Sequence, residues 1–133
     1  MKAIIMKPGK YGEAKDIDPT YNNLCNLVGG YIEMTYPFME ANLAVISNEE
    51  SKLLDLSPNR AARWEDGTIA DIYCGPMVVV GLDDDGEFRS LTDEEENLIM
   101  EKWGRPEDKD DWGGTKPNMS FCISGMRFGD AEA

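Results

Sequence analysis

The run Met77-Val78-Val79-Val80 constrains the fold more than any other feature of the chain. Three consecutive β-branched residues crowd the preceding turn of a helix but suit a pleated strand, and unbroken apolarity suits a strand covered on both faces. Such a strand is central, so other strands must flank it and apolar elements must pack on each side. It lies within the apolar segment Ile69 to Leu82, which Gly75-Pro76 interrupts because proline cannot donate to a sheet ladder.

Flanking strands can be read on both sides. Ala3 to Met6 forms a first strand stopped by Pro8-Gly9. Tyr31 to Phe38 alternates Ile32, Met34 and Tyr36 with Glu33 and Thr35. Leu43 to Ser47 is a short apolar strand, with residues 38–42 as a hairpin connection. Asp85-Gly86 turns the chain into Phe88 to Leu91. Glu49 to Leu56 reads as a short helix or an irregular turn, and its Leu53, Leu54 and Leu56 read as buried.

Two helices are expected. Asp18 as cap and Pro19 as first helical residue open one. Tyr21, Leu24, Cys25 and Val28 share a face, and Gly29-Gly30 ends it. The second begins at Thr92-Asp93-Glu94-Glu95, a reciprocal capping box with acids on the positive end of the helix dipole, and runs through Leu98, Ile99, Lys102 and Trp103. The expected fold is therefore α+β: a mainly antiparallel sheet with two principal helices, at about 19–28 and 93–103. It forms a single domain over residues 1–103. An acidic, exposed, Gly/Pro-containing loop follows over 104–118, then a final strand (Met119 to Phe128) and tail over 119–133.

Charge narrows the function classes. The 133 residues hold 26 acids, 13 bases and no histidine, for a net charge of −13. Direct binding to a nucleic-acid backbone or an anionic membrane needs the opposite sign. No segment reaches spanning length, and the start MKAIIMKPGKYG is too short for a signal-peptide core, so a cytoplasmic setting is expected. Cys25, Cys74 and Cys122 form no C-x-x-C pair and read as free thiols. Both EF-hand registers fail: Gly86 at position 6 puts Gly81 at 1 and Thr92 at 12, while Gly113 there puts Trp112 at 5 and Met119 at 12. No metal or other cofactor is expected. With no histidine, no nucleophile–base pair and no phosphate loop, the chain reads as a non-enzyme.

Two sets of residues remain as candidate surfaces. Residues 83–111 concentrate thirteen acids against four bases. Asp83, Asp84, Asp85 and Glu87 at a hairpin tip, with Asp93, Glu94, Glu95 and Glu96 at a helix start, can imitate a row of phosphates and fill a basic groove on a partner protein. They can equally be turn, cap and solvated residues. Asn48, Glu49, Asn59 and Arg60 form the alternative, a pocket in which a guanidinium fork holds a small anionic or nucleotide-like ligand. The bland reading has Glu49 pairing with Arg60 and Asn59 satisfying backbone.

The order of motifs carries a resemblance. Val28-Gly29-Gly30-Tyr31-Ile32-Glu33 is followed by Ser47-Asn48-Glu49 with Lys52-Leu53-Leu54. Pro58-Asn59-Arg60-Ala61, Gly75 before an apolar strand, and Ser90-Leu91-Thr92-Asp93-Glu94 come next. Over about residues 1–100 this is similar to an uncharacterised family of domains found in phages and integrative elements of Firmicutes, with Ser51 and Ser57 in place of glycine and proline. The resemblance implies a mobile-element context and favours a binding role over catalysis; joined to the acidic surface, it leads to the expectation of a host-defence antagonist that docks on a basic host protein. It implies no catalytic residue.

Overall fold

The computed structural model describes residues 1–38 and 40–113. Its strands are β1 (Lys2–Met6), β2 (Glu13–Asp16), β3 (Ile32–Thr35), β4 (Leu43–Asn48), β5 (Pro58–Arg63), β6 (Ile69–Cys74), β7 (Met77–Leu82) and β8 (Phe88–Arg89). The helices are α1 (Tyr21–Val28) and α2 (Asp93–Trp103). One sheet has the order β2-β1-β7-β4-β3 with every pairing antiparallel, and β8 also pairs with β7. β5 and β6 form a separate antiparallel pair. This is the expected α+β architecture.

Every residue of β7 is buried, as its continuous apolarity requires. Val78 and Val80 join Ala3, Ile5, Ala44 and Ile46 beneath Leu24 and Val28 of α1. Met77 and Val79 join Ile4, Met6, Leu43 and Val45 on the other face, against Ile99 and Trp103 of α2 and Ala62 and Tyr73 of the β5–β6 pair. Phe38 and Tyr73 both meet the Trp103 ring edge-on, with centroids 5.1 and 5.6 Å away. The molecule thus has three layers, with the sheet in the middle.

α2 matches its expected span. Thr92 Oγ1 accepts from the Glu95 N–H at 3.1 Å, and Glu95 Oε1 accepts from the Thr92 N–H at 2.9 Å. α1 starts later than expected. Thr20 is its cap, accepting from the Asn23 N–H, while the Asp18 carboxylate is held in a turn by the Thr20 N–H. α1 ends as expected: Gly29 adopts φ 79, and its N–H and that of Gly30 both donate to the Cys25 carbonyl.

Four further differences have physical causes. Residues 49–55 form consecutive turns, the irregular form of the two expected, but Leu53 and Leu54, read as buried, are exposed by 68% and 55%. The loop turns Lys52 inward to Asp71 and lays Leu56 over Gly75, where a Cβ would come within 2.7 Å of Leu56 Cδ1. β5 has no apolar alternation to announce it, and β2 is a fully exposed edge strand held by pairing with β1 and by the Met1 ammonium on Asp16. Residues 105–113, expected as an exposed loop, fold back and bury Glu107 and Trp112. The expected strand from Met119 to Phe128, and Cys122, lie outside the described residues.

Candidate functional site

Of the alternative pocket, only Glu49 is exposed. Asn48 sits at the end of β4 and closes the C-terminus of α1: its Nδ2–H donates to the Val28 carbonyl at 3.3 Å, and its Oδ1 accepts from the Glu50 N–H at 2.8 Å. Asn59 and Arg60 are fully buried on the α2 side. Asn59 Nδ2–H donates to the carbonyls of Met6 (3.0 Å) and Gly75 (2.8 Å). Arg60 donates to Trp103 O (2.8 Å), Asn59 Oδ1 (2.7 Å), Lys10 O (2.7 Å) and Gly104 O (3.4 Å).

Burial pulls the Arg60 pKa down, and the Glu107 charge opposes that shift. Because α2 ends at Gly104 in right-handed geometry rather than in a left-handed cap, the guanidinium takes over the last carbonyls, where cations are favoured. Glu49 makes no ion pair with Arg60 among the described residues. These four residues do not converge on a cavity; three of them are spent on main-chain groups.

A groove of about 740 Å³ lies instead between the β5–β6 turn and the C-terminal end of α2, lined by Phe38, Ala62, Trp64, Asp66 and Lys102 among others. Lys102 pairs with Glu40 at 3.3 Å beside it. No sequence signal marked it, since its walls come from three separate segments.

The eight acids of the other candidate surface do gather at one end of the sheet. Asp83 Oδ1 accepts from the N–H groups of Asp85 and Glu87 at 2.9 Å each, which fixes the β7–β8 turn. Glu95 forms a fork with Arg89 at 2.7 and 2.8 Å. That fork, above all else, draws the Glu95 pKa down to about 2. Arg89 feels Asp83 and Asp84 as well, so turn and helix start are electrostatically continuous. Lys2 takes Asp93 (2.9 Å) and Glu96 (2.5 Å). Asp84, Asp85, Glu87 and Glu94 are exposed and make no ion pair among the described residues.

β4 runs opposite to β7, with Leu43 against Gly81 and Ile46 against Val78. Residues 49–57 therefore lie at the end of the sheet away from the acidic turn. There Leu53 and Leu54 are exposed on the loop, and Tyr31, 64% exposed, meets the start of that loop, its carbonyl accepting from the Glu49 N–H at 3.0 Å. Sequence reasoning missed these as surface residues, because adjacent leucines ordinarily read as core.

Among the described residues no group of three or more His, Cys, Asp or Glu is placed to hold a metal ion, and no helix is long and apolar enough to cross a membrane. A family model described as a domain of unknown function (DUF3846) matches residues 1–104. No curated protein and no solved structure matches the chain.

Proposed function

For a chain that belongs to the DUF3846 family of domains of unknown function, we propose a role in binding rather than catalysis, with the acidic pole as the working surface. The observation that carries this is the set Asp84, Asp85, Glu87 and Glu94, exposed and without ion pairs on a turn and a helix start that Asp83, Arg89 and Glu95 hold rigid. Unpaired acidic side chains on a fixed backbone suit a cationic partner, because that partner need not reorganise the backbone on contact. The partner class is a basic protein that ordinarily grips a phosphate backbone. The setting we propose is a phage or mobile element whose host defence proteins include such partners. Nothing in the reading calls for a nucleophile or a cofactor.

The test is capture from host lysate with the wild type and with a variant carrying Asp84→Lys, Asp85→Lys, Glu87→Lys and Glu94→Lys. These sites avoid the carboxylates that build the turn and the cap. Wild type should retain basic nucleic-acid-binding proteins that duplex DNA then releases, and retention should fall steeply between about 0.05 and about 0.3 M salt. Retention by the variant, or indifference to salt and competing DNA, overturns the proposal.

A further inference from the structure

We infer that the opposite pole, around Leu53, Leu54 and Tyr31, is a second docking surface for a polypeptide segment whose apolar side chains are flanked by lysine or arginine. Leu53, Leu54 and Tyr31 are exposed by 68%, 55% and 64%. Adjacent exposed leucines on a loop are a common mark of a contact surface when the loop itself is well held. This loop is well held. The Ser51, Leu54, Asp55 and Leu56 N–H groups donate to the carbonyls of Asn48, Glu50, Lys52 and Ser51 at 2.9 to 3.2 Å. Buried Asn48 accepts from the Glu50 N–H, and Asp55 reverses the chain at φ 55 directly after Leu54. The leucines are displayed by a fixed frame.

The occupant follows from charge. Glu49, Glu50 and Asp55 are exposed around the leucines, while Lys52, the one cation of the loop, is drawn inside against Asp71. An apolar patch with an anionic rim and its cation withdrawn complements a basic amphipathic segment. It opposes an anionic lipid surface. It opposes a second copy too, since a twofold contact would set the same acids face to face in a chain of net charge −13.

The probe is a fluorescein-labelled helical peptide with leucines at i, i+3 and i+4 spacing and lysines elsewhere, titrated at about 0.15 M salt. The controls are the same peptide with serine for leucine and the acidic-pole variant of the preceding section. Leu53→Ser with Leu54→Ser should weaken binding about tenfold without lowering Tm, because both side chains are already in water; Glu49→Lys with Glu50→Lys should weaken it similarly. The acidic-pole variant should change affinity by less than about threefold, which keeps this surface distinguishable from the one proposed above. Equal binding by the leucine variant, equal binding of the serine peptide, no binding at all, or a dimer in sedimentation that the leucine variant abolishes would each overturn the inference.

Discussion

Asn59 and Arg60 are consecutive in β5 and hydrogen-bonded to each other inside the protein, Arg60 Nη1–H to Asn59 Oδ1 at 2.7 Å. Neighbouring strand residues ordinarily face opposite sides. Here the register slips between Pro58 and Arg60, which face Cys74 and Tyr73, so Asn59 occupies a bulge and both side chains turn inward. The pair then ties together β1, the Lys10 loop, the β6–β7 turn at Gly75 and the end of α2.

Arg60→Ala should therefore act on folding. It leaves the carbonyls of Trp103 and Lys10 and the Asn59 oxygen without this donor and opens a cavity, at a cost of about 3–5 kcal/mol. Arg60→Lys should recover little of this, since an ammonium cannot reach the same acceptors from one planar fork. Urea melts check both; a variant that folds normally but loses a ligand would contradict the structural role.

Lys52 and Asp71 form the second test. Burial raises the Asp71 pKa and Lys52 only partly offsets that. Lys52→Ala should destabilise by about 2 kcal/mol near neutrality. For a carboxyl whose folded pKa is raised, stability falls as pH climbs through the interval between unfolded and folded values. The deficit of Lys52→Ala should thus widen from acid to neutral pH, and adding Asp71→Asn should remove that dependence. Chemical denaturation at several pH values reads it.

Glu95 has the opposite sign. Its pKa is held at about 2, against 4.5 for the unperturbed group, chiefly by Arg89. The stabilisation is complete above about pH 4.5 and is lost as pH falls towards 2. Glu95→Gln should cost about 1 kcal/mol at neutral pH, a modest figure because Arg89 is partly solvated. The two proteins should converge in acid. Parallel melting curves at every pH would contradict the fork.

The chain beyond the family match matters for stability. Glu107 Oε1 accepts from the Ala61 N–H (3.0 Å) and the Trp112 indole N–H (2.9 Å), while the Trp103 indole N–H donates to the Ala61 carbonyl (3.0 Å). Side chains thus close the open edge of β5. A protein ending at Gly104 should melt at least several degrees below one ending at Gly113 and should self-associate as concentration rises. Glu107→Ala in the longer protein should reproduce part of the loss, about 2 kcal/mol. Calorimetry and light scattering decide it.

The elements most readable from sequence are those whose signal is local. Thr92 to Trp103 carries its own cap and spacing, and β7 its own apolarity, so both emerge where expected. β5 does not, because Pro58, Asn59 and Arg60 break alternation, and Asn59 and Arg60 are buried by partners distant in the chain. β2 offers no apolar residue beyond Ala14. Leu53 and Leu54 mislead for the converse reason: composition reports preference for the interior, and only the tertiary frame decides which side chains reach it. Of the acids, sequence locates the cluster, while Arg89 and Lys2 decide which carboxylates remain unpaired.

β7 lies between β1 and β4, so the sheet cannot close until that strand has been made. At ribosomal rates of about 5–20 residues per second, the first strand waits about 4–15 seconds for its neighbour. During that interval Ile4, Ile5 and Met6 lack the central strand that pairs with them, although α1, β4 and the β5–β6 pair already carry other partners of the two cores. Biogenesis, rather than the finished molecule, is where this domain is most exposed to capture by chaperones, and slowing translation before Met77 should lower its soluble yield.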